Sequence, residues 1–149
     1  MEEDEYRSAY KKIVEIPCPF EKAILSNHCS CQNEKRLHIA ERHASGCQSE
    51  IAQKLCLRVL ATLREKAKFS LRMASITGGL PHGKELKVQA GGMKGILKSL
   101  HPEEDTLSNL FGLILEANKA YGDVEQYPFQ EIIPYIAKFE GRPKRRKKK

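Results

Sequence analysis

All five cysteines of this 149-residue chain fall between Cys18 and Cys56, and the 93 residues that follow contain none. Five is an odd number, so the thiols cannot all be paired as disulfides. The N-terminal run MEEDEYRSAYKK has neither the basic start nor the apolar stretch of a secretory signal. The expectation is a reducing, cytoplasmic setting, where clustered cysteines bind metal or do chemistry more often than they cross-link.

The neighbours of the cysteines sharpen this. Pro17 and Pro19 flank Cys18 and exclude a helix through it, and Cys29 and Cys31 lie in the polar run 26–33 (SNHCSCQN). The full spacing is Cys18-x10-Cys29-x-Cys31-x15-Cys47-x8-Cys56. Thiolates are soft donors that hold zinc or iron–sulfur clusters. If Ser45 caps a long helix, with Gln48 completing an S-x-x-Q box, Cys47 falls in its first turn. Cys56 then lies on the opposite face, about 13 Å along the axis, in the apolar stripe of Ala52, Val59 and Leu63. The predicted ligands are therefore Cys18, Cys29, Cys31 and Cys47. Cys56 is assigned to the core; with His28, His38 and His43 it stands as an alternative ligand.

An iron–sulfur cluster is the first expectation for the cofactor. A Cys-Pro step such as Cys18-Pro19 occurs in ferredoxin ligand runs, and the C-x2-C knuckle of common zinc sites is missing. The basic surroundings would also offset a cluster's negative charge. Zinc is the alternative.

The net charge of +7 is unevenly spread: seven of the 26 basic residues lie in 142–149 (RPKRRKKK), and the rest balance the 19 acids. Residues 34–98 hold 13 basic and 5 acidic side chains. Arg64, Lys68 and Arg72 share one face of the predicted long helix, and Lys84 and Lys87 extend the row. Such a row attracts an acidic protein partner or nucleic-acid phosphates. The second functional expectation is thus a zinc-stabilised or metal-free nucleic-acid-binding module using this segment and the tail. Only Phe69 offers a stacking ring nearby. The run 78–85 matches a phosphate-binding loop as far as Lys84, but Glu85 stands where a hydroxyl is needed. No acid–base or nucleophile motif is legible.

Apolar spacing predicts helices over 3–14, 20–25, 33–44 (capped by Asn33), from about 47 or 50 to 73, 93–100, 103–121 and 128–139. Strand is confined at most to 85–90, where Leu86, Val88 and Ala90 alternate with polar residues. The fold class expected is mainly α: a single-domain helical bundle over 1–141 with an irregular Cys-rich N-terminal part. A glycine-rich loop over 77–95 and a disordered basic tail over 142–149 complete the picture. No apolar run approaches the roughly 18–20 residues of a membrane span.

Overall fold

The computed structural model describes residues 3–71 and 82–140. It is mainly α-helical, with one two-stranded antiparallel sheet among the described residues. Helix α1 (Glu3–Ile13) carries Glu3, Asp4 and Glu5 in its first turn and Lys11 and Lys12 in its last. Each set of charges complements the end of the helix dipole beside it.

After the short α2 (Glu21–Leu25) the chain departs from the sequence expectation. Residues 33–44 are not helical: β1 (Glu34–Ile39) and β2 (Arg42–Cys47) form a hairpin pairing Glu34 with Cys47 and Ile39 with Arg42. Ala40, in the turn, takes a left-handed φ of 57°. Leu37, Ala40 and Ala44 suit a helix, yet Leu37 and Ile39 also alternate with Arg36 and His38 at strand period. What decides is that both faces find cover. Leu37, Ile39 and Ala44 pack with Tyr6, Ala9, Tyr10 and Val14 as a small separate core. On the other face the Arg36 guanidinium donates to the Ile24 carbonyl of α2 at 3.0 Å. Gly46 lets the preceding chain lie against β2, since a Cβ there would stand 3.1 Å from the Ile16 carbonyl oxygen.

Helix α3 (Glu50–Ala67) begins after Ser49, not Ser45; the Ser49 hydroxyl accepts the Ala52 N–H at 3.2 Å. Its regular helix ends at Ala67, short of the predicted 73; residues 72 and 73 lie outside the described residues. Residues 82–100 form one helical run: α4 (His82–Leu86), a π-helical turn (Lys87–Gly91) and α5 (Gly92–Leu100). The strand expected at 85–90 is therefore helix, and so is the part of the expected loop from 82 to 95; residues 77–81 lie outside the described chain. The alternation misleads because the polar residues Glu85 and Gln89 are buried with their apolar neighbours.

Helix α6 (Leu110–Tyr121) starts later than the expected residue 103. The backbone before it is used elsewhere: Ser30 N–H donates to the Leu107 carbonyl at 3.1 Å and Leu110 N–H to the Ser30 carbonyl at 2.8 Å. Helix α7 (Phe129–Lys138) carries Pro134 within it. The main core joins Phe20 and Ile24 to Leu60 and Leu63, Met93 and Ile96, Leu110 and Ile114, and Ile132 and Ile136. Among the described residues, no helix is long and apolar enough to cross a membrane. The tail expected to be disordered, 142–149, lies outside the described residues.

Glycines set how closely α5 meets α7. A Cβ on Gly95 would stand 2.9 Å from Ile132 Cα and 3.0 Å from its carbonyl oxygen, and backbone cannot swing away. Gly95→Ala should therefore cost about 1–3 kcal/mol in urea unfolding, the usual range for overpacking. Gly83→Ala, with nothing within 4 Å of the new methyl group, should be neutral or stabilise by up to about 1 kcal/mol through helix propensity. Equal effects at the two positions would refute the close-packing account.

Candidate metal centre

Four separate segments deliver cysteines to one place. Cys18 follows Pro17, which bridges to Gly46 of β2, and the Cys18 N–H donates to the Ser45 carbonyl at 3.3 Å. Cys31 lies in the stretch tied to the start of α6, where Asn109 Oδ1 accepts the Gln32 N–H at 3.0 Å. Cys47 ends β2, and Cys56 sits two turns into α3. Together Cys18, Cys31, Cys47 and Cys56 line a single small cavity, with Ile24, Ala52 and Leu110 among its apolar walls. The cavity is narrow, with about 10 Å³ open to the centre of a water-sized sphere.

The sulfurs have polar company of a useful kind. Ser49 N–H donates to Cys47 Sγ at 3.5 Å, and that thiol donates to the Ser49 carbonyl at 3.1 Å. The Phe20 backbone N–H bonds to Cys18 and favours its thiolate. The Ser45 hydroxyl, two residues before Cys47 on the strand, is buried with no hydrogen-bond partner among the described residues. Glu34, also on the cavity wall, accepts from Arg36 at 3.1 Å, which offsets its charge.

Burial dominates the acid–base state. It pushes the Cys18 thiol up to about 12, with the charges of Cys31 and Cys47 adding to the effect. Burial also raises Cys56, again helped by Cys18, Cys31 and Cys47. As free thiols, Cys18 and Cys56 therefore stay protonated at neutral pH, and a metal must displace those protons to bind.

The expected ligand Cys29 lies elsewhere. It is buried in a neighbouring pocket of about 120 Å³ with His28, Met93, Lys94 and Phe139. Burial pushes its thiol up to about 12, and the charges of Cys18, Cys31 and Glu34 add to the effect. Cys56, assigned to the core from sequence, is buried but borders the four-cysteine cavity. The helix-register argument that separated it from Cys47 does not apply, because Cys47 belongs to a strand and only Cys56 to the helix. A helix start at Ser49 removes that separation, but Cys56 still lies in the apolar stripe, so the sequence carries no signal that singles it out as a ligand.

No histidine enters the cavity. His28 meets Phe139 edge-on at 4.9 Å, and His38 and His43 sit together near the hairpin turn. Of the basic row, Arg64 is ion-paired with the buried Glu85 and Lys68 with Glu65. Lys84 and Lys87 lie on α4 and the π turn, and Arg72 falls outside the described residues.

The donor set suits a thiophilic metal, yet the side chains are not closed around one. Among the described residues no three Cys, His, Asp or Glu side chains are gathered tightly enough to grip a metal ion. A Zn–S bond of about 2.3 Å sets sulfurs about 3.8 Å apart in a tetrahedron. A cluster interposes its own atoms and needs wider spacing still. Either group requires the thiols to turn from their present positions.

Comparison of the chain with protein-family models, with curated proteins and with solved structures yields no match.

Proposed function

We propose that this chain is a small thiolate metal-centre protein, with an iron–sulfur cluster as its cofactor, acting in electron transfer, cluster handling or redox sensing. The ligands in this reading are Cys18, Cys31, Cys47 and Cys56. The observation that carries it is their convergence on one small cavity from four separate segments. A lone buried cysteine is an ordinary small hydrophobe. Four facing one apolar space are better explained as a donor set. In this reading the helical bundle of α3, α5, α6 and α7 is a scaffold that holds one wall of the centre.

When bound, the cluster would supply one-electron chemistry. The chain's own residues would do the rest. Ile24, Ala52 and Leu110 exclude water, and the N–H groups of Phe20 and Ser49 stabilise charge on Cys18 and Cys47. The nucleic-acid alternative rests on charge alone, and Arg64, the first member of its row, is committed to Glu85.

Anaerobic purification followed by iron, acid-labile sulfide and zinc analysis tests the proposal. Iron and sulfide in comparable amounts are expected, with loading that weakens as pH falls because protons compete for the thiolates. A colourless protein with one zinc per chain would replace the cluster by zinc. Absence of both metals would end the metal reading.

A further inference from the structure

The two histidines near the hairpin turn stand apart from the cysteines. His38 and His43 are register partners, one step inward from the Ile39–Arg42 pair that closes the two-residue turn. A two-residue turn is closed by a hydrogen-bonded pair, so the next pair is of the non-hydrogen-bonded kind, in which facing side chains come closest. The two imidazole centroids are 4.2 Å apart with the rings tilted by 56°, and both residues are exposed.

Their surroundings leave the ring nitrogens available. Among the described residues neither ring has a hydrogen-bond partner, so no carboxylate or carbonyl claims a nitrogen. The two nearby arginines, which would repel a cation, are held by other groups. Arg42 pairs with Glu3 at 2.7 Å and lies over the Tyr6 ring at 3.7 Å. Arg36 pairs with Glu34 at 3.1 Å and donates to the Ile24 carbonyl. Two imidazoles bind one ion with bonds of about 2.0–2.1 Å each, a bite that facing residues on adjacent strands reach by side-chain rotation alone.

We propose that His38 and His43 form a surface chelating site for a divalent first-row transition-metal ion, one nitrogen from each ring, with water filling the remaining positions. Imidazole suits nickel, copper and zinc. The site is distinct from the cysteine cavity, since four residues of extended strand separate His43 from Cys47 by about 13 Å. It does not depend on what the cysteines hold.

The test is calorimetric titration of the untagged full chain with Ni2+, comparing the native protein with His38→Ala, His43→Ala and His101→Ala. The cysteines are common to all four proteins, so differences between them report the histidines. Beyond any Ni2+ taken by the thiols, one equivalent that depends on the hairpin histidines is expected in the native and His101→Ala proteins. Each of the other two variants should lose affinity for it by on the order of tenfold or more, because one imidazole remains where two held the ion. Ni2+ should also raise the melting temperature of the native protein by stapling β1 to β2, and leave that of His38→Ala unchanged. Identical isotherms for all four proteins, or an effect of only one of the two hairpin histidines, would overturn the chelate.

Discussion

Cys56→Ala should empty the proposed centre, while Cys29→Ala should leave it loaded. Cys56 shares its cavity with Cys18, Cys31 and Cys47, whereas Cys29 lines the neighbouring pocket with His28 and Phe139. Removing a thiolate leaves three donors around the metal, and structural metal sites hold their ion through a full set. Metal per chain should fall from near stoichiometric to near zero in Cys56→Ala, with a lower melting temperature because metal binding and folding are coupled. In Cys29→Ala the metal should stay, and the cost should be that of trimming a small buried side chain, on the order of 1 kcal/mol. Iron and sulfide analysis of the two purified variants decides. The reverse pattern would make Cys29 the fourth ligand and Cys56 a core residue.

Arg64→Ala should destabilise the fold by about 3 kcal/mol, near the low end for breaking a buried ion pair. Glu85 is the reason: its side chain is only 4% exposed, against 32% for Arg64. Arg64 Nε donates to one Glu85 oxygen at 3.1 Å, while Gln89 donates to the other at 2.9 Å and accepts the Ala23 N–H at 3.1 Å. This chain of contacts ties α3 to α4, the π turn and α2. Without the guanidinium, a carboxylate is left in the interior with one amide for a partner. The partial exposure of Arg64 lets water screen some of that charge, hence the lower figure. Replacing both partners, Arg64→Met with Glu85→Leu, should recover much of the loss, since apolar packing removes the stranded charge. Urea unfolding of the single and double variants measures both effects. A loss below about 1 kcal/mol in Arg64→Ala would show a surface cation, and would return Arg64 to the basic row as a docking residue.

The contrast between these two cases shows where sequence reasoning reaches. Periodicity finds elements whose one apolar face meets one core. The stripe Ala52, Cys56, Val59 and Leu63 of α3, the apolar face of α6 and the Pro134-containing α7 were all legible for that reason. The crowding of thiols into 18–56, with prolines around Cys18, was equally legible, because loops and cysteine counts are local facts.

What only the tertiary structure decided concerns residues whose partners are distant in sequence. Residues 34–47 satisfy helix and strand periods alike. The hairpin wins because α1 covers one face and α2 the other, and each lies outside the window that a local pattern samples. Glu85 and Gln89 read as polar breaks in a strand, but Arg64 and the Ala23 N–H satisfy them from 21 and 66 residues away and so make them buried helix. The proposed exchange of Cys29 for Cys56 has the same origin. It turns on whether Cys47 ends a strand or starts a helix, and that depends on the 16–18 segment lying against Gly46. A local sequence can nominate thiols for a centre, but only long-range packing selects which four share a wall.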